Sequence, residues 1–163
     1  MTRLLTPQAL IAADFAPFGD VLEATGTADK IINQGLCGRH HDRAQLDFAD
    51  GRAGLSIFDA EPRSFPITLD MMERHPDGSQ AFVPMHQNHW LVIVATDHNG
   101  APAKPQVFLA APGQGVNYHR GVWHGVLCPL HAPGLFTVVD RIGGGANLQE
   151  HWFDTPLTIN AGI

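Results

Sequence analysis

Lysine is nearly missing from this chain. Lys30 and Lys104 are the only two among ten basic residues, and the other eight are arginines. That shortage disfavours Schiff-base chemistry. It leaves the guanidinium, which grips a carboxylate through two parallel hydrogen bonds, as the main cation. Cysteine is scarce too: Cys37 and Cys128 stand far apart with no CxxC spacing, so separate reduced thiols are expected. No apolar run approaches the ~20 residues that span a bilayer, so no membrane role is expected. The opening MTRLLTPQALIAADF has one arginine but neither a long apolar stretch nor a small-residue cleavage site. It does not read as a secretory leader, and the expected compartment is the cytoplasm. A formal net charge of −6 argues against a nucleic-acid partner.

What is present suits one folded domain covering residues 1–163. Twelve prolines and 17 glycines are spread along the chain, which favours short strands and turns over long helices. The one helix signal comes early: Thr6 as N-cap, Pro7 at the first helical position, then Gln8 to Phe15. A strand is expected near Val21. Further strand-like runs are Leu55 to Phe58, Gln80 to Val83, Trp90 to Ala95, Val107 to Leu109, Val122 to Leu127 and Leu135 to Val139. Breakers such as PDG, DHNGAP, APGQG and HAPG separate them, a spacing typical of sandwiches and barrels. Thr25 to Ala53 reads as a long loop or edge strands. The tail from Gly143 onward carries no clear signal.

Two segments concentrate the chemistry. In ERHPDGSQAF, Glu73 and His75 alternate, so on a strand they share one face. The Pro-Asp-Gly turn predicts a hairpin that returns Gln80 beside them. In GQGVNYHRGVWH, Gly113 to His124, alternation sends His119 and His124 to opposite faces unless the chain kinks at Gly121.

These spacings resemble the cupin superfamily. The first cupin motif reads here Glu73-x-His75 and then Gln80; the second reads Gly113, five residues, His119-x-Gly121, two residues, His124. Three positions depart from the usual pattern: Glu73 for His, Gln80 for Glu and His119 for Pro. The resemblance implies an all-β, jelly-roll β-barrel with a short N-terminal helix, and a metal held by Glu73, His75, Gln80 and His124. Carboxylate, imidazole and amide oxygen can all ligate a divalent ion, although this set should bind less tightly than an all-His one.

The match narrows further. NQG at Asn33 to Gly35, RHHD at Arg39 to Asp42, ERHPDGSQAFVPM at Glu73 to Met85, GVNYHRGVWH at Gly115 to His124, and Asp140-Arg141 resemble the ureidoglycolate lyase family in content and order. That resemblance implies a homodimer that splits ureidoglycolate into glyoxylate and urea in allantoin catabolism. It also implies a divalent metal, nickel being the leading ion, and no organic cofactor.

The reaction needs a base for the carbinol hydroxyl, an acid for the departing nitrogen and a grip on the carboxylate. His119 or Tyr118 is expected to move protons, with His124 at the centre of the site. Arg39, Arg74 or Arg141 is expected to receive the carboxylate, and Asn33 to assist substrate binding. Each residue has a structural rival. Glu73-Arg74 could be a strand-end ion pair, His75 a turn support, Gln80 a backbone satisfier and Tyr118 a barrel tether. His86 and His89 read as solvated turn residues, and His40 as facing solvent. Trp90, Trp123 and Trp152 read as core or interface anchors. Three other functions compete: an amidohydrolase releasing ammonia from the same substrate, a non-catalytic acid-binding cupin, and a metal-dependent oxygenase or isomerase.

Overall fold

The computed structural model describes residues 3–162; Met1, Thr2 and Ile163, at the ends of the expected domain, lie outside them. The chain begins with β1 (Leu4–Leu5), β2 (Gln8–Ala9), the one-turn helix α1 (Ala12–Phe15) and β3 (Gly19–Leu22). A projecting hairpin follows, β4 (Lys30–Ile32) and β5 (Cys37–Arg39), joined by a 3₁₀ turn at Asn33–Gly35. Then come β6 (Arg52–Asp59), β7 (Ile67–Arg74), β8 (Gln80–Pro84) and β9 (Trp90–Ala95). A small hairpin, β10 (Asp97–His98) and β11 (Ala101–Pro102), leads to β12 (Gln106–Ala110) and β13 (Gly115–Tyr118). The last strands are β14 (Trp123–His124), β15 (Cys128–Pro129), β16 (Leu135–Ile142) and β17 (Gln149–Ile159).

These strands build two main sheets. The larger runs β1-β17-β7-β14-β9-β12-β2, with β15 also beside β9; the smaller runs β3-β13-β8-β16-β6. Both edges of the larger sheet are closed by the start of the chain. β1 pairs in parallel with β17, Leu5 opposite Ile159, and β2 pairs in parallel with β12, Gln8 opposite Phe108. Only Thr6 and Pro7 separate β1 from β2, so the larger sheet curls on itself.

That seam corrects the expected helix. Gln8–Ala9 is strand, and the helix shrinks to Ala12–Phe15 with no side-chain cap at Ile11. The ladder to β12 offers these residues more than an isolated turn of helix could, so tertiary pairing overrides the Thr6-Pro7 signal.

The core has two layers, set by alternation along β9, which is buried throughout. Trp90, Val92 and Val94 meet Phe82, Tyr118 and Phe136 from the smaller sheet. Leu91, Ile93 and Ala95 turn to the other face and pack with Leu5, Ile67, Leu69, Trp123 and Ile159. Each large apolar side chain so buried contributes roughly 1.5–3 kcal/mol. Of the three tryptophans, Trp90 and Trp123 are core, whereas Trp152 is exposed.

Two further expectations change. The run Val122 to Leu127 yields only the two-residue β14, after which Gly125 still donates its N–H to the Ile93 carbonyl at 2.9 Å, close against the Ile93 side chain. The tail is not a loose end: β17 supplies the larger sheet with a strand paired along β7, with an irregularity between Trp152 and Leu157.

Candidate metal centre

Glu73 and Arg74 end β7, and the chain then crosses between the sheets. β7 has β17 on one side and β14 on the other, so the expected hairpin with β8 cannot form. β8 instead lies in the smaller sheet, between β13 and β16. The Pro-Asp-Gly segment is therefore a crossover, and Gln80 faces the site from the opposite sheet.

Glu73 pairs directly with His124 of β14, which puts both side chains on one face. His75 follows just beyond the strand. One potential ligand atom from each of Glu73, His75 and His124 lies within 4.8 Å of the others. The two imidazole rings are 5.2 Å apart between centroids.

Hydrogen bonds orient both rings. His75 Nδ1 donates to the Asn147 carbonyl at 2.8 Å, and His124 Nδ1 to the Gly125 carbonyl at 3.0 Å. A carbonyl oxygen can only accept, so each Nδ1 carries a proton and Nε2 is the ring nitrogen left to face the cluster. Both Nε2 atoms are buried without a hydrogen-bond partner. Burial, helped by the nearby His75, drives the His124 imidazole down to about 3, so it is neutral at neutral pH. Burial also raises the Glu73 carboxyl, with Glu150 adding to the effect and His75 opposing it. The neutral His124 imidazole, a second imidazole with an orphaned Nε2 and a desolvated carboxylate fit a divalent cation, whose charge would offset the burial of Glu73. The backbone carbonyls on Nδ1 are the usual outer support of a ligating histidine.

Tyr118 and Gln80 complete the wall. The Tyr118 ring stacks parallel on His124 at 4.5 Å. Burial pushes its phenol well above the ordinary value, so it stays protonated. Gln80 sits opposite Tyr118 in the β8–β13 ladder and shares its face. Its Nε2 donates to Asp140 Oδ2 at 3.1 Å, which leaves Oε1 buried and unpartnered.

The remaining expected residues are placed elsewhere. Gly121 adopts φ +76°, supplying the kink, but His119 still turns away. Its Nε2 lies 3.1 Å from Asp20 Oδ2, an oxygen that also accepts from Asn117 Nδ2 and the Gln45 backbone. Burial alone would raise the Asp20 carboxyl, yet these hydrogen bonds hold it below the ordinary value. Arg74 pairs with Asp97 at 2.7 Å, not with Glu73. Arg141 is pinned to Asp50 at 2.6 Å and to the Gly144 carbonyl. Arg39 and Asn33 are exposed on the projecting hairpin, and Arg39 makes no ion pair among the described residues. Asn33 and Gln34 have φ of +53° and +60°, the left-handed region in which Asn is one of the commoner non-glycine residues. His89 is exposed, but His86 is buried with its ring edge-on to Phe136 at 4.9 Å; it is a core residue, not a solvated turn residue.

Sequence reasoning missed Asn147, Asp140 and Asp97. Asn147 aligns His75 and also accepts the Asp77 N–H through Oδ1. Asp140 appeared only within a matching dipeptide. No spacing signal links these residues to partners more than 20 positions away.

Two curled sheets with a carboxylate and two imidazoles converging between them make this a cupin-like β protein whose site suits a divalent ion. The ureidoglycolate lyase family model matches residues 2–160, and the chain belongs to that family. Among its relatives, the ureidoglycolate lyase of Rhodobacter capsulatus is 56% identical over 98% of this chain and 99% of its own length. That of Agrobacterium fabrum is 49% identical over 98% and 97%. Ureidoglycolate lyase 2 of Rhizobium meliloti is 46% identical over 90% and 91%.

Proposed function

We propose that this chain is a single catalytic domain that cleaves ureidoglycolate into glyoxylate and urea. The observation that carries this reading is the convergence of Glu73, His75 and His124, both ring Nε2 atoms orphaned, in a chain 56% identical over nearly its full length to a protein named for that reaction.

Glu73, His75 and His124 would hold a divalent ion, for which nickel is our choice, with Gln80, opposite Tyr118 in the other sheet, as the fourth donor. Such an ion, when bound, polarises substrate oxygens as a Lewis acid. The chain's own groups do the rest. The Glu73 carboxylate is the group placed to accept the carbinol proton. The Tyr118 phenol, kept protonated, donates to the departing ureido nitrogen. His119, turned toward Asp20, is left without a direct role. Of the three expected arginines, Arg39 is the one without an ion pair among the described residues, and we assign it, with Asn33 of the same hairpin, to the substrate carboxylate.

We further propose a homodimer. Leu36 is 87% exposed on the hairpin, which also exposes Ile31, and Leu55 is 69% exposed on the edge strand β6 of the smaller sheet, where Ile57, Val83 and Met85 are exposed as well. Ile57, Thr137 and Val83 lie in one row across the outer face of the smaller sheet. Exposed apolar area of this extent favours burial against a second copy. The two unpaired thiols, Cys37 and Cys128, support a reducing compartment, the cytoplasm.

The test is to incubate purified protein with racemic ureidoglycolate, with and without chelator, and assay urea, glyoxylate and ammonia after subtracting the uncatalysed rate. Equal urea and glyoxylate, suppressed by chelator, is the expected result. Ammonia in place of urea would make the protein an amidohydrolase instead.

A further inference from the structure

We propose that Asp97 is a positioning residue for the ion-binding cluster, acting through Arg74 and Trp123 from the opposite face of the larger sheet. This rests on the reading that Glu73, His75 and His124 bind a divalent ion.

The need for such a device follows from the strands. β14 has only two residues, and its link to β7 is the single pair His124–Glu73, one residue from the end of β7. β9 holds β14 on its other side through two pairs, so the β7 junction is the weaker of the two and the one that sets the spacing of Glu73 and His124. A shift of β14 along β7 would separate two of the three ligands.

Asp97 ties that junction together. Alternation turns Arg74 and Trp123, the immediate neighbours of Glu73 and His124, to the far face. There Asp97 Oδ1 accepts from Arg74 Nη1 at 2.7 Å and from Trp123 Nε1 at 2.9 Å. Its other oxygen accepts the Gly100 backbone N–H at 3.1 Å, which fixes the β10–β11 turn that carries it. The guanidinium lies over the Trp123 ring, 4.5 Å from its centroid. Arg74 Nε also donates to Gln149 Oε1 at 2.7 Å, which extends the clamp to β17. One carboxylate thus holds both residues that adjoin ligands. The Trp123 N–H, followed by Gly100 and Arg74, keeps that carboxyl below its ordinary value, so it is ionised at neutral pH.

A purely structural role predicts something different. Asp97 is 43% exposed, and an ion pair so open to water contributes little to overall stability. Its removal should leave the protein folded and affect the spacing of Glu73 and His124 instead. Outer groups that orient ligands typically change metal affinity by about 10–100-fold.

The experiment titrates Ni²⁺ into metal-free protein by calorimetry, comparing wild type with Asp97→Ala, Asp97→Asn and Trp123→Phe. Urea denaturation of each variant reports its fold. Asp97→Ala should bind Ni²⁺ about 10–100-fold more weakly, with a nearly unchanged denaturation midpoint. Asp97→Asn keeps an acceptor oxygen and should lose less. Trp123→Phe leaves Asp97 in place but removes the N–H and trims the buried ring, so it should unfold at a lower urea concentration and, while folded, also bind Ni²⁺ more weakly. Wild-type affinity in both Asp97→Ala and Trp123→Phe would overturn the inference while leaving the cluster's role intact. Failure of the wild type itself to bind Ni²⁺ would overturn the cluster reading, and this inference with it.

Discussion

His124 carries the sharpest consequence at the scale of single residues. When folded, its imidazole stays neutral down to about pH 3, whereas its ordinary value is 6.5. Between these values the unfolded chain binds a proton that the folded chain does not. Stability must therefore fall as pH falls through that window, by at most about 1.4 kcal/mol per pH unit. Glu73 acts in the opposite sense. Its folded carboxyl is raised, so its contribution is present in acid and lost as pH rises through the folded value. Comparing metal-free wild type with His124→Gln isolates the histidine term. Urea denaturation at pH 7 and pH 4.5 should show the wild type losing more stability than the variant; parallel losses would mean that His124 is protonated in the folded state.

At the scale of elements, the hairpin β4–β5 stands apart. It forms its own two-stranded sheet, and its base is closed by the Arg43–Asp29 pair at 2.9 Å. Replacing residues 30–39 with a short turn should leave the thermal midpoint of the remaining fold nearly unchanged and shift the protein from dimer to monomer, read by light scattering. The same replacement should raise KM for ureidoglycolate, since it removes Arg39. Elements differed in how plainly the sequence announced them. Trp90 to Ala95 was legible because a run buried on both faces is apolar throughout. β17 was not, because its exposed positions outnumber its buried ones and its ladder is irregular. Glu73, His75 and His124 were legible from spacing, which survives the crossover. The partner sheet of β8 was not, since a turn sequence reverses the chain without saying which strand it will pair with. The false helix at Gln8 shows the same limit: the strand that claims it lies about 100 residues away.

For the whole molecule, closure depends on the seam where β1 joins β17 and β2 joins β12. Thr158 donates to the Arg3 carbonyl at 2.9 Å and Asn160 to the Leu5 carbonyl at 3.0 Å. A chain ended after Leu148 keeps most of the core residues but loses the partner of both β1 and β7. It should show no cooperative urea transition, whereas the intact chain should unfold in one step; a cooperative transition in the shortened chain would mean that the larger sheet does not need its seam. The seam also sets a clock. Leu5 and Ile159 are joined only by closing a loop of nearly the whole described chain, and such long-range closures slow folding. During synthesis β1 leaves the ribosome long before β17, and must wait for it. Until then the apolar faces of β9 and β12 stay open to solvent, and a nascent chain in that state is a natural client for chaperones.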